Sequence, residues 1–289
     1  MTRVLVLGST GMLGSAVNQI LQESGHDVVA ASRTRGIRFD AEDLASTELL
    51  ASSGLSAGDF VVNCVGLTKA RIHENDPVSR GLAVKLNIEF PYDLAAASKQ
   101  HGVKVIQVAT DCVFSGTSGN YSEIASHDAL DVYGKTKSLG EVPSDNVMHL
   151  RCSLVGPERG RSSLFFEWVR SQPRGSMVFG YTNHIWNGLS SRAFGRIVAG
   201  VVEQDIFRAG VQHLVPYDQV TKDELVRMQL SALGRTDVTV NPTQADFEVN
   251  RTLSTKNSAA NRELFLAAGY SEIPTIQEMV SEACMNLPN

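Results

Sequence analysis

The sequence predicts an α/β protein: a doubly wound parallel sheet with helices on both faces, followed by a smaller α/β C-terminal lobe. Three observations predict it. Short strand-like runs alternate with helical runs over residues 1–156, the pattern of a sheet with crossover helices. Those runs are continuously apolar, as in strands buried on both faces. A glycine-rich turn, Gly8-Ser9-Thr10-Gly11-Met12-Leu13-Gly14, joins the first strand to the first helix.

Each element has its own signal. Arg3–Leu7 is a β-branched and leucine run. Gly11–Ser24 carries Met12, Leu13, Ala16, Val17, Ile20 and Leu21 at helical spacing. Asp27–Ala31, Ile37–Phe39, Asp59–Val65, Val103–Val108 and Val147–Arg151 are the further strands expected, with helices over Asn75–His101 and Asp131–Val142. Phe90-Pro91 predicts a kink or break within the first of these helices. Beyond residue 151 the pattern loosens. Helices are expected over 162–171, Ser191–Gln204, Lys222–Leu233, Asn257–Ala268 and Thr275–Met285, with short strands at Ser176–Phe179, Gln212–Val215 and Asp237–Val240. The division expected is a dinucleotide domain over 1–156, rejoined by part of 176–215, with 157–289 mainly a substrate lobe.

Composition narrows the class. The 289 residues are 43% hydrophobic and 20% charged, ordinary for a globular enzyme. A net charge of −5 without a basic stripe argues against nucleic acid. No apolar run approaches the roughly 18 residues of a membrane span, and the N-terminus enters the glycine turn without room for a secretory leader. A cytoplasmic protein is the expectation. Cys64, Cys112, Cys152 and Cys284 lack metal-type spacing, so reduced thiols and no metal are expected.

The glycine turn is a GxxGxxG loop between strand and helix. Its glycines permit a tight turn and close backbone approach to a pyrophosphate, with the positive end of the following helix facing the anion. Gly8, Thr10, Gly11, Met12, Leu13 and Gly14 are therefore candidate dinucleotide contacts. An NAD site expects an acidic residue near the end of the second strand. Here the run is Ala30-Ala31-Ser32-Arg33-Thr34-Arg35. Ser32 and Arg33, with Arg35, suit a ribose 2′-phosphate instead, so NADP(H) is expected ahead of NAD(H). Asp40 has two readings, a neighbour of the adenine or a helix cap for the run from Ala41.

Tyr133-Gly134-Lys135-Thr136-Lys137 places Tyr133 and Lys137 on one helical face. A phenol ordinarily titrates near 10. A nearby ammonium is expected to lower that value and make it a usable proton donor. Thr110 lies at the carboxyl end of a strand, where ligands bind in open sheets, and its hydroxyl could orient a carbonyl.

In this order, these features resemble the extended short-chain dehydrogenase/reductase family and its Rossmann domain. Within it the chain is similar to dTDP-4-dehydrorhamnose reductases and related sugar-nucleotide reductases. Further residues carrying the resemblance are Val61–Gly66, Ala109–Gly116, Tyr121–Glu123 and Tyr133–Glu141, with fainter echoes at Arg151–Val155 and Asn250–Lys256. The resemblance implies a triad of Thr110, Tyr133 and Lys137 and a cofactor wall from Cys64, Val65, Gly66 and Ala109. It also implies that Ser153 lies near the nicotinamide and that the C-terminal lobe binds a nucleotide-sugar.

Four departures from the family pattern fall in its sugar pocket. Cys112 stands where an aromatic residue is usual, Arg71 where an acidic residue follows the threonine matching Thr68, and Leu154 where tryptophan is common. Gly180–Gly188, containing Tyr181, His184 and Trp186, replaces a Gly-x-Pro-Thr signature. Thr68, Arg71, Cys112, Leu154 and Trp186 are thus the candidate substrate residues, with Trp186 read either as a stacking platform or as a packed junction. Arg251 and Lys256 are candidate diphosphate partners.

The expected activity is NADPH-dependent reduction of a 4-keto group on a dTDP- or UDP-linked deoxysugar, in polysaccharide or deoxysugar biosynthesis. The alternatives are an epimerase or dehydratase of the same family and a non-catalytic dinucleotide-binding regulatory subunit. The resemblance also implies a homodimer formed through the helices carrying Phe90-Pro91 and Tyr133.

Overall fold

The computed structural model describes residues 2–158 and 164–287. The chain opens with β1 (Arg3–Leu7), α1 (Met12–Glu23), β2 (Asp27–Ser32), β3 (Ile37–Arg38), α2 (Ser46–Ser53) and β4 (Phe60–Asn63). It continues through α3 (Pro77–Val84) and α4 (Phe90–Gln100) to β5 (Lys104–Thr110), α5 (Val132–Leu139) and β6 (Val147–Cys152). These strands form one parallel sheet in the order β3-β2-β1-β4-β5-β6. The order reverses at β1, which has β2 on one side and β4 on the other. A crevice therefore opens beyond the carboxyl ends of β1 and β4.

Side chains alternate between two cores. Leu5, Leu7, Val61, Val105 and Val147 pack under α2 and α4. Val4, Val6, Val62, Ile106, Met148 and Leu150 pack under α1 and later helices. Both faces are covered, which is why the strands carry apolar residues at consecutive positions.

After β6 come β7 (Leu154–Val155), α6 (Phe165–Arg170), β8 (Met177–Tyr181), β9 (His184–Trp186) and β10 (Leu189–Ser190). Next are α7 (Ser191–Glu203), β11 (Gly210–His213), β12 (Val220–Thr221) and α8 (Lys222–Ala232), then β13 (Thr239–Thr243), β14 (Val249–Asn250), α9 (Ser258–Ala267) and α10 (Ile276–Met285). α7 packs along α1, and β11 pairs in parallel with β6 as the seventh strand of the main sheet. The remaining strands form three small sheets: β7 with β10, β8 with β13, and β9 between β12 and β14. Val169, Val178, Val226, Leu230, Val238 and Val240 form a separate small core under β8 and β13. Among the described residues no helix is long and apolar enough to cross a membrane.

Several elements differ from expectation. α2 is absent from the sequence pattern, because its eight residues bury only Ser46, Leu49, Leu50 and Ser53. The expected helix over 162–171 begins outside the described residues, and its described part is α6. No strand is expected from the sequence over Tyr181–Trp186. Tyr181 instead ends β8, and Trp186 lies in the separate strand β9, whose three residues are too few to show a period. The kink expected at Phe90-Pro91 is a π-helical turn over Lys85–Glu89, and the helix continues through it. Pro91 has no N–H to give the Asn87 carbonyl, and the wider turn absorbs its ring. Gly140 then comes so close to that carbonyl that a Cβ there would lie 1.8 Å from it.

Candidate active site

The crevice begins at the glycine turn. Gly8 has φ +70°, a left-handed conformation natural to glycine. A Cβ on Gly14 would lie 2.2 Å from the Gly8 carbonyl oxygen, so that glycine serves the packing of α1 against the turn. Gly11 differs. It is exposed, and a Cβ there would meet only the Gly8 oxygen, at 3.4 Å. Gly11 is also the N-cap of α1, which has no side-chain cap and no acidic residue in its first turn. Uncapped N–H groups at a helix start are an anion site. They face a cavity of about 450 Å³ whose walls include Gly8, Thr10, Met12, Arg33, Cys64 and Gly66. Leu13 and Gly14 are buried beneath this surface.

The β2–β3 turn forms one end of the cavity. The Ser32 hydroxyl donates to the Arg35 carbonyl (2.9 Å) and accepts from the Thr34 and Arg35 amides (3.2 and 2.8 Å). That hydroxyl shapes the turn and has nothing left for a phosphate. The turn leaves Arg33 exposed in the cavity wall, with no hydrogen bond or ion pair among the described residues. Arg35 is exposed but outside that wall. Asp40 fits both of its readings: it lines the cavity, and its carboxylate accepts from Glu42 N–H (3.2 Å) to cap the 3₁₀ turn Ala41–Asp43.

The opposite wall follows β4. The buried Asn63 amide donates to Gln107 (2.8 Å), and its oxygen accepts from Val65 N–H (3.0 Å), holding the turn of Cys64, Val65 and Gly66. Burial pushes the Cys64 thiol up to about 12, so it stays a neutral wall group. Asn87 clamps this loop to α5. Its oxygen accepts from Leu67 N–H (2.8 Å), and its amide donates to the Leu67 carbonyl and the Thr136 hydroxyl, each at 3.1 Å. The sequence reading missed Asn87, although Pro91 four residues on signals that the helix opens there.

Tyr133 and Lys137 lie one turn apart on α5, whose start is fixed by Asp131. That carboxylate accepts from Gly134 N–H (2.8 Å) and pairs with Lys69 (2.7 Å). Tyr133 packs on the same cluster of Leu67, Ile72 and Ala83 as Leu82 and Leu86, which line the cavity. Loss of water pushes its phenol well above the ordinary value, and a hydrogen bond with Thr110 acts the other way. The lowering expected from Lys137 is overturned: burial wins, and the ammonium points to the Val108 carbonyl (3.0 Å). Burial also lowers Lys137 to about 8, opposed by Glu141. Glu141 is itself held by the fully buried Arg151, which donates to it through Nε at 3.0 Å. Arg151 donates further to Nε2 of His213 (2.8 Å) and of His127 (2.9 Å).

Thr110 ends β5, preceded by the buried Ala109. Its hydroxyl donates to Asp111 (3.2 Å) and accepts from Cys112 N–H (3.2 Å). Burial raises the Asp111 carboxyl, while Arg251, Thr110 and Lys222 pull it down. Burial pushes Cys112 up to about 12, aided by Asp111.

The candidate substrate residues scatter around this point. Thr68 is exposed ahead of the 3₁₀ turn Lys69–Arg71, and Arg71 lines the cavity. Leu154 is half-buried in β7, next to Ser153, whose carbonyl accepts from Leu189 N–H (2.9 Å). Trp186 is only 5% exposed and packs in the main core, which corrects its reading as an open stacking platform. Its ring supports Lys222 from 5.0 Å. Lys222 was read only as the start of a helix, and no sequence signal tied it to Asp111.

A parallel sheet reversing at a glycine cradle, with tyrosine and lysine on the helix after β5, is the architecture of the extended short-chain dehydrogenase/reductase class. The model of the RmlD substrate binding domain matches residues 1–288, and the chain belongs to that family. The probable low-salt glycan biosynthesis reductase Agl14 of Haloferax volcanii is 34% identical over 182 residues, 57% of this chain and 59% of that protein. The methionine adenosyltransferase 2 subunit beta of Pongo abelii is 32% identical over 145 residues, 48% of this chain and 41% of that protein. The matches thus span under two thirds of either relative's length. Among solved structures, dTDP-4-dehydrorhamnose reductase of Bacillus anthracis str. Ames in complex with NADP superposes with a TM-score of 0.79, at 17% identity over 99% of both chains.

Proposed function

We propose that this chain is an NADPH-dependent reductase that turns a ketone on a nucleotide-activated sugar, in its 4-keto form, into an alcohol. One observation carries the reading. The Thr110, Tyr133 and Lys137 side chains converge at the carboxyl end of β5, beside a glycine cradle whose helix start is uncapped. The reductase name of the Haloferax relative and the NADP in the Bacillus complex support it.

A dinucleotide fits these residues: Gly8, Gly11 and the first N–H groups of α1 would hold its pyrophosphate, and Arg33 a 2′-phosphate. When bound, its nicotinamide supplies a hydride to the carbonyl carbon. Thr110 orients the carbonyl oxygen through its hydroxyl. Tyr133 gives its phenolic proton to that oxygen and is reprotonated from solvent. The raised phenol suits this direction, since the group waits protonated. Lys137 brings the positive charge that steadies the phenolate left behind. Ala109 and Cys64–Gly66 line the dinucleotide side, and Thr68, Arg71, Cys112 and Leu154 the sugar side.

The test is NADPH oxidation against a panel of 4-keto dTDP-, UDP- and GDP-sugars. Tyr133→Phe should lower turnover by about 10²–10⁴-fold and leave NADPH affinity unchanged. Full activity in that variant would sink the mechanism. Conversion of a sugar without net NADPH consumption would favour the epimerase or dehydratase alternative.

A further inference from the structure

Lys222 is the first residue of α8, and its side chain lies over two aromatic rings. Its ammonium lies 4.7 Å from the Phe165 ring and 5.0 Å from the Trp186 ring. Two aromatic faces attract a cation but offer it no hydrogen-bond acceptor. Among the described residues Lys222 has neither hydrogen bond nor ion pair, although its charge acts on both Asp111 and Cys112. Burial draws its proton affinity down to about 8, against the pull of Asp111.

Arg251 approaches Asp111 from the other side. Its Nε donates to the Phe114 carbonyl (2.9 Å), and the rest of its guanidinium has no partner among the described residues. Its charge, too, acts on Asp111 and Cys112. Two cations thus act on the residues next to Thr110, and Asp111 accepts from the Thr110 hydroxyl; Arg251 acts on Asp128 and Asp131 as well. A desolvated ammonium with three unused N–H donors is costly unless an acceptor arrives from outside the protein.

We propose that Lys222, with Arg251, is the specificity-determining receptor for a carboxylate on the substrate's sugar ring. This rests on the nucleotide-sugar reading and narrows it: the sugar is an acidic one, not the neutral deoxysugar that the resemblance implies. The site asks for charge because both donors are cations. It asks for a compact anion because both cations act on Asp111, the residue bonded to the orienting hydroxyl of Thr110. Lys222 is a binding residue in this account and takes no part in the proton transfer from Tyr133.

The experiment is calorimetric titration of the NADPH-loaded protein with two matched pairs, UDP-glucuronate with UDP-glucose and dTDP-glucuronate with dTDP-glucose. The wild type should bind the acidic member of a pair at least about tenfold tighter, the scale of one charge-assisted contact. Lys222→Met should bring that ratio close to one, and Lys222→Arg should restore most of it. Thermal melting of the NADPH-loaded variant establishes whether Lys222→Met is folded. If it does not fold, the ratio is read from Lys222→Gln and from Arg251→Met, which should reduce it as well. Equal binding of acidic and neutral sugars by the wild type overturns the proposal and leaves the nucleotide-sugar reading standing. A preference that survives in folded Lys222→Met overturns it too. Binding of NADPH with no binding of any sugar nucleotide overturns both readings.

Discussion

The two sides of the cleft are built on different principles. The glycine-cradle side is made by backbone: the left-handed Gly8, the bare N-terminus of α1, and a turn held by Asn63 and Gln107. Its polar side chains are mostly spent on their own scaffold, as Ser32 and Asn87 are. The α8 side is made by long charged side chains, Lys222 at a helix start and Arg251 just after a two-residue strand. Its donors are left over. A backbone cradle serves the part of a ligand that is always the same, and free side chains serve the part that varies. The first needs a rigid turn, and the second needs only chemistry at the right place.

The sharpest way to break that contrast is to add a single methyl group to the cradle. Gly14→Ala puts a Cβ where the Gly8 carbonyl already lies. It should cost at least about 2 kcal/mol of stability and abolish NADPH binding, as read from urea unfolding and fluorescence titration. Gly11→Ala meets no such obstacle. It should retain near-normal stability while weakening NADPH. Equal losses of stability in the two variants would show that Gly11 serves packing and not a ligand.

A second test reads the cost of burying cations. Lys137 and Lys222 each fall from an ordinary 10.5 to about 8 in the folded chain. Below about pH 8 both states hold these protons, and the folded chain bears the penalty. Between about 8 and 10.5 the unfolded chain holds more of these lysine protons, so the lysines' contribution to the stability of the cofactor-free protein rises with pH, while the raised Cys64 and Cys112 thiols act the other way above about 9. Urea unfolding across that window should show a more positive pH slope for the wild type than for Lys137→Met/Lys222→Met, which shares its thiols. An unchanged slope in the double variant would mean that neither lysine is desolvated.

The smallest expected effect sits at the far end of the cradle. Arg33→Ala should narrow the preference for NADPH over NADH by about tenfold, with turnover on NADH unchanged. Steady-state kinetics with both cofactors would show it, and an undiminished preference would assign the 2′-phosphate to another group.

Local spacing made the first side legible. Glycines at 8, 11 and 14, the pair at 133 and 137, and a threonine ending an apolar run each state their geometry within one turn of chain. The same local logic failed for α2, whose helix buries too few apolar residues to leave a period, and for β9, whose three residues are too few to alternate. Lys222 and Trp186 are ordinary residues in sequence. Their meeting depends on how β9 pairs with β12, a register that no short window records.

By itself, then, the sequence determined the parallel sheet, the glycine cradle and the tyrosine-lysine helix, because each is encoded by residues a few positions apart. The tertiary structure alone decided what surrounds them. It buried Tyr133 enough to raise its phenol instead of lowering it, spent the Ser32 hydroxyl on a turn, packed Trp186 into the core, and brought the charges of Lys222 and Arg251 to bear on Asp111. Desolvation and long-range charge depend on the whole packed neighbourhood, and that neighbourhood exists only once distant segments have docked.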